Sequence, residues 1–272
     1  MHASPTCQMA FDEAPAELVG TEGEGLKAMF TLMNHARIEV ALQGVAHAAR
    51  AHAIAAAYAA ERKQGRNPDG SDAVLSDHAD VRRMLDEQRS LALGARAMAH
   101  VTLVEMVRGN SVLVDFLTPV CKVFCTEAGI RAADLGIQVL GGYGYLTEYR
   151  VAQTWRDARI TSIYEGANGI HALATATRGL RIKGGADEFD ALIGRLTDNA
   201  AVMALRKEWR KARAFVSQAD DPSAWGHDFT KLTGDLLYRA AWARIAQVLD
   251  NADLARLSRR VLDPAPAWKR AA

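Results

Sequence analysis

Apolar side chains at helical spacing govern what this chain can become. From about residue 25, Leu26, Met29, Phe30, Met33, Ala36, Val40 and Ala41 fall on one face of a helix that the pattern carries to about residue 63. Gly44 interrupts that pattern, and close packing against a second helix is a sufficient reason for it. Ser76 reads as the N-cap of a second helix, to about residue 108. Val81, Met84, Leu85, Gln88, Leu91, Ala95, Met98 and Thr102 mark its inner face. Thr118-Pro119 reads as the N-cap and first position of a third helix. That helix ends near Leu140, where Gly141-Gly142 supply positive-φ positions. The expected fold is all-α, an antiparallel bundle of four or five helices over residues 25–180.

Residues 181–272 read as an additional C-terminal helical region behind a linker at Lys183-Gly-Gly-Ala186. Helices are expected over 187–218 and 222–249, with a short one to Leu262. Trp225, Phe229, Leu232, Leu236, Ala240 and Ala243 form an apolar stripe, and the basic run 206–213 reads as a solvated face.

Charge and composition exclude several classes. Lys+Arg 33 against Asp+Glu 32 leaves a net charge of +1, so nothing favours nucleic acid or an anionic membrane surface. No run of about 18 uncharged apolar residues occurs, so no membrane partner is expected. The start of the chain lacks the basic-then-apolar pattern of a secretory signal. Cys121 and Cys125 are four apart, on one helix face, with no histidine at helical spacing. Buried small apolar side chains are therefore favoured over a metal site, and sparse cysteine suits a cytoplasmic setting. His47 and His52 are five apart and share no metal-binding face, and no Glu-x-x-His pair supports a di-iron bundle. No metal is expected.

Chemistry concentrates in residues 138–171. There the run Ile160-Thr-Ser-Ile-Tyr164 delivers one carboxylate, Glu165, followed by Gly166. A carboxylate after an apolar run and beside an aromatic ring is placed to act as a base. From the residues alone the favoured reading is an ordinary first-turn acid, stabilised by a helix dipole.

The motifs Gln138-Val-Leu-Gly-Gly-Tyr-Gly-Tyr-Leu-Thr-Glu148, Trp155-Arg-Asp157 and Ile163-Tyr-Glu-Gly-Ala-Asn-Gly-Ile170 resemble the C-terminal signature of flavin-dependent acyl-CoA dehydrogenases. The resemblance runs from the N-terminus to about Leu180 and is greatest to a large bacterial branch with an additional C-terminal helical region. It implies that residues 1–24, with β-like pieces at 8–11 and 18–19, are the end of a β domain, and that the chain is the C-terminal portion of a dehydrogenase. It implies FAD as cofactor and an acyl-CoA as substrate, with Glu165 as the base of an α,β-dehydrogenation. Arg37, Tyr164 and Gly166 would lie at the substrate. Arg62 would reach the pyrophosphate of a neighbouring subunit's FAD, with Gln64 close by, while Gln138 and Gly142 would meet its adenosine part. Many relatives carry Thr two residues after the glutamate. Ala167 stands there, and Asn168 is the candidate to replace that contact. Many also carry Phe-Gly where this chain has Gln64-Gly65. The resemblance further implies a homo-oligomer or a need for the N-terminal portion, and an electron-transfer flavoprotein as a possible acceptor. The alternative is an inactive helical fragment or a structural partner subunit, and the colour of the purified protein separates the two.

Overall fold

A computed structural model describes residues 3–181 and 184–263, without the side chains of Phe30, Thr31 and Asn34. Lys183 of the expected linker and Phe30 of the first apolar face therefore lie outside what is described. Residues 3–24 form no helix or strand and are exposed.

Helix α1 spans Gly25–Glu61. Its buried face begins only at Ile38 and continues through Val40, Ala41, Val45, Ala48, Ala51, Ala55 and Ala59. Leu26 and Met29, expected inside, are 71% and 46% exposed. Alanine at turn after turn keeps the inner face of α1 flat, so neighbouring helices come close. After α1 comes a small antiparallel hairpin of β1 Lys63–Arg66 and β2 Asp72–Val74. Its turn closes through Asn67 N–H to Ser71 O at 2.9 Å and Ser71 N–H to Asp69 Oδ1 at 3.0 Å.

Helix α2 spans Ala79–Val107 and does not begin at Ser76. Leu75–Asp77 forms a separate 3-10 turn, closed by the Asp77 carboxylate accepting from Val74 N–H at 2.9 Å, and His78 stands at the N-cap of α2 without a side-chain capping bond. By length and composition α2 could cross a membrane, but it packs between α1, α3 and α9 as a core helix.

Helix α3 spans Ser111–Leu140 and starts a full two turns before Thr118-Pro119. Asn110 is the cap, its Oδ1 accepting from Leu113 N–H at 3.3 Å. Burial of Leu113, Val114, Phe116 and Leu117 carries the helix through the proline, and the Thr118 hydroxyl bonds back to Val114 O at 2.8 Å rather than capping. At the other end Gly141 takes φ +61 while Gly142 does not need a positive φ. Two 3-10 turns, Gly141–Tyr145 and Thr147–Tyr149, lead into α4 Val151–Thr161. Next come α5 Asn168–Ala176 and the single turn α6 Arg178–Arg181.

The remaining helices are α7 Gly185–Leu196, α8 Ala200–Gln218, α9 Gly226–Val248 and α10 Ala252–Leu262. The continuous helix expected over 187–218 breaks at 197–199, where Asn199 Oδ1 accepts from Ala201 and Val202 N–H and starts α8 afresh. The basic run is tied down: Arg206 and Arg210 both bond Asp190 of α7, and Arg213 bonds Asp187. One hydrophobic cluster joins Phe116, Leu117, Cys121 and Cys125 of α3 to Phe189 of α7, Trp209 of α8, and Phe229, Leu237 and Trp242 of α9. The C-terminal helices thus share their core with the bundle.

Helices α1, α2 and α3 run up, down and up, so α1 and α3 are parallel neighbours. They meet at Gly44 and Gly129. A Cβ on Gly44 would stand 2.2 Å from Cys125 O, and one on Gly129 2.7 Å from Gly44 O. No side chain fits without moving a helix backbone. We therefore expect Gly44→Ala to destabilise the chain by about 1–3 kcal/mol, the usual range for overpacking. Gly169→Ala, in helix α5 with open space around the added methyl, should instead raise stability by up to about 1 kcal/mol. Urea unfolding of both variants checks this, and an unaffected Gly44→Ala protein would refute the close-contact account.

Candidate functional site

The loop between α4 and α5, residues 162–167, carries Glu165 outside any helix, so the helix-dipole reading of this acid does not hold. Glu165 sits at φ +54, in the left-handed region that side-chain-bearing residues avoid, and Gly166 follows at φ +91. Such a conformation persists only where its surroundings impose it.

Four groups do so. His171, 2% exposed on α5, bonds Glu165 O through Nε2 at 3.0 Å. Lys122 of α3, fully buried, donates from Nζ to Gly166 O at 2.7 Å and to Asn168 Oδ1 at 2.9 Å. Asn168 N–H donates to Ser162 O at 3.0 Å, closing the base of the loop. The Tyr164 hydroxyl bonds Gln43 Oε1 on α1. Asn168 turns its amide inward: Oδ1 receives Lys122 and Nδ2 reaches Thr126 Oγ1 at 3.1 Å. Its side chain ties the loop to α3.

Charge here is shaped by burial. Desolvation pushes the Lys122 ammonium down to about 8, helped by Arg37 and opposed by Glu165. Burial holds the His171 imidazole down at about 4, so at neutral pH it is uncharged and its Nε2–H can donate to Glu165 O. Arg37 is half-buried on α1, lowered by burial and by Arg178, with the attraction of Glu165 acting the other way. Its buried Nε has no hydrogen-bond partner, and the residue lines a cavity of about 120 Å³ with Phe116, Ile170, His171 and Arg178. Burial raises Tyr164. Tyr164, Glu165, Gly166 and Arg37 are therefore gathered at one place.

Arg62, Gln64, Gln138 and Gly142 are gathered at another. They line a groove of about 610 Å³ between the end of α1, the hairpin and the end of α3. Arg62 caps α1 and holds its guanidinium 5.3 Å over the Tyr143 ring, which packs with Tyr58 and Tyr149. Arg62, Gln64, Gln138 and Gly142 are all exposed, and a Cβ on Gly142 would meet nothing within 4 Å. An exposed guanidinium beside an exposed amide and an open glycine suits an anionic, polar ligand. Lys122 and Gln138 are sixteen positions apart on α3, which places the two centres roughly 24 Å from each other along that helix at about 1.5 Å per residue.

Sequence reading missed Lys122, His171 and Gln43. The available signal was a single lysine inside the apolar stretch Val120-Cys-Lys-Val-Phe-Cys125, an unusual neighbourhood for a charge. The two cysteines there are buried thiols, as expected for small apolar side chains. Burial raises Cys121 to about 11, and Cys125 Sγ donates to Ala95 O.

Residues 23–190 match the family described as acyl-CoA dehydrogenase, C-terminal domain. A 3-methylmercaptopropionyl-CoA dehydrogenase of Ruegeria pomeroyi is 39% identical over 268 residues, covering 87% of this chain and 46% of the relative. The chain thus spans about half the length of the curated relatives it matches. Among solved structures, Caenorhabditis elegans ACDH-11, in complex with C11-CoA, superposes with a TM-score of 0.77 at 18% identity, over 91% of this chain and 45% of that one. An acyl-CoA dehydrogenase from Bacillus anthracis complexed with FAD gives 0.69 at 21% identity, over 88% and 46%. At these identities the two structures speak for the fold.

The depressed His171 has a consequence for stability. Its native value, about 4, lies below the ordinary 6.5, so the unfolded chain binds the proton more readily. The contribution of His171 to stability is therefore full above pH 6.5 and is lost as pH falls toward 4. His171→Gln, whose amide nitrogen can occupy the Nε2 position without titrating, should show a flatter stability profile over this window. Denaturant unfolding at several pH values checks it, and parallel profiles would refute the assignment.

Proposed function

Since this chain belongs to the acyl-CoA dehydrogenase family, we propose that it is the base-bearing C-terminal half of an enzyme that dehydrogenates acyl-CoA thioesters between Cα and Cβ. The observation that carries this reading is Glu165, a left-handed, half-buried carboxylate residue whose loop is tied to α1, α3 and α5. A chain of this family has no evident packing reason for so constrained an acid, whereas a base needs its position fixed.

The chain's own residues supply the following chemistry. The Glu165 carboxylate takes a proton from Cα of the thioester. That proton is weakly acidic, so the thioester carbonyl must be polarised as charge develops, and the backbone N–H of Glu165 is the donor this chain offers. Arg37 and Lys122 place positive charge near the carboxylate while it is unprotonated. Tyr164, fixed by Gln43, and Gly166 form the wall beside the base. FAD, when bound, supplies the acceptor for the hydride that leaves Cβ.

The groove residues fit the other end of that cofactor. Arg62 suits the pyrophosphate, with Gln64, Gln138 and Gly142 toward the adenosine. The separation of this groove from Glu165 is consistent with each centre serving a different FAD in a homo-oligomer. Residues 3–24, exposed and without strands of their own, fit the end of a β domain completed by an N-terminal portion. An electron-transfer flavoprotein is the proposed acceptor, and buried reduced cysteines at positions 121 and 125 suit a cytoplasmic setting.

The test is to combine the chain with the N-terminal half of such a dehydrogenase, load FAD, and follow bleaching of the flavin by a panel of acyl-CoAs. Glu165→Gln should slow reduction by at least about 100-fold, since it keeps the shape but cannot accept a proton. Arg62→Ala should weaken FAD retention about tenfold or more while leaving the melting temperature nearly unchanged. Normal reduction by the Glu165→Gln protein would overturn the reading.

A further inference from the structure

A lysine fully removed from water is costly unless its hydrogens are met. Lys122 has no carboxylate within ion-pairing distance among the described residues. Its two bonds go to Gly166 O and Asn168 Oδ1, both in or next to the loop of Glu165. A charge kept in a core for fold stability alone would be replaceable by methionine, which packs as well with no desolvation. What methionine could not do is hold a loop carbonyl.

The second half of the arrangement comes from α5. His171 takes the carbonyl of Glu165 and Lys122 takes the carbonyl of Gly166. Two successive carbonyls are thus drawn into the bundle by two buried side chains from two helices. Fixing successive carbonyls fixes the peptide planes on both sides of Gly166, and with them ψ of Glu165. Space confirms how tightly the parts fit: a Cβ on Gly166 would stand 2.9 Å from His171 Nε2. Thr126, one turn after Lys122 on α3, completes the clamp by meeting the Asn168 amide.

We propose that Lys122 and His171 are positioning residues that clamp the Glu165 and Gly166 carbonyls from inside the bundle and thereby hold Glu165 in the left-handed conformation from which it works. The inference rests on the reading of Glu165 as the base. Neither side chain touches the substrate; both act through the backbone of the loop.

Hydrogen exchange read by mass spectrometry on the full chain tests the clamp without any cofactor. Lys122→Met should speed exchange of the amides in residues 162–170 at least tenfold, with little change in the hairpin at 63–74 or in α8. Lys122→Arg, which keeps donors in place, should recover part of the protection. Gly166→Ala attacks the clamp from the loop side and leaves the α3 core untouched. It should raise the same exchange, so the proposal stays testable if Lys122→Met fails to fold. In the FAD-loaded assembly with the N-terminal half, Lys122→Met should lower kcat about tenfold or more with KM changed less than twofold, because a misplaced base slows the chemical step. Wild-type protection of the loop in either folded variant would overturn the clamp, as would exchange raised equally throughout the chain. If the loop loosens as expected but even the wild-type assembly shows no turnover, the clamp stands and the dehydrogenase reading falls.

Discussion

The contact between Gly44 and Gly129 is the constraint on which the rest is built. It lets the backbones of α1 and α3 approach more closely than any side chain would permit. Because the two helices run parallel there, the two turns before Gly44 and the two turns before Gly129 come side by side. Those turns carry Arg37 and Gln43 on α1, and Lys122 and Thr126 on α3. The loop after α4 can then be held from both helices at once, through Tyr164 to Gln43 and through Gly166 and Asn168 to Lys122. With α1 moved out by the width of a methyl group, the loop's hydrogen bonds to α1 and to α3 would no longer be met together.

A similar device sets the other side of the molecule. Gly94 of α2 lies where a Cβ would strike the rings of Tyr238 and Trp242 on α9. Two large aromatic side chains pack directly on a helix backbone, and the Trp242 indole N–H finds Ser90 O at 3.2 Å. The aromatic chain Phe116, Phe189, Trp209 and Phe229 then binds α3, α7, α8 and α9 into a single interior. That interior backs the N-terminal half of α3, the part that presents Lys122. The C-terminal helices therefore support the segment from which the Glu165 loop is held.

Helix existence was legible in the sequence because periodic burial is a local pattern. Gly44 was legible too, since a glycine in the middle of a strong helix needs a neighbour that requires it. Starts were less so: Ser76 and Thr118-Pro119 have good capping chemistry, but α2 begins only after a 3-10 turn that Asp77 closes on Val74 N–H, and α3 begins two turns early, capped by Asn110. The hairpin at 63–74 was hidden because exposed lysine, glutamine and arginine do not look like strands; turn bonds around Asp69 and Asn67 make it. At the candidate site, Glu165 and the groove residues came through short contiguous motifs. Lys122 and His171 act across 44 and six positions on backbone oxygens, and no side-chain pattern announces an appointment with a carbonyl. Asn168 drew attention as a candidate cofactor contact from its place in a motif, whereas its bonds to Lys122 and Thr126 become visible only in the fold.

Helix α1 has two ends of different character. From Ile38 onward it is embedded, but Leu26, Met29, Leu32 and His35 lie exposed along its first three turns. Helix of that length with no buried face is held mainly by its own hydrogen bonds, which in water are close to neutral in free energy. The first turns should therefore fray gradually while the embedded part melts with the core. The far-ultraviolet signal of the isolated chain then acquires a sloping native baseline, so its thermal curve is not that of one cooperative unit even though one hydrophobic cluster joins α1, α2 and α3 to α7, α8 and α9.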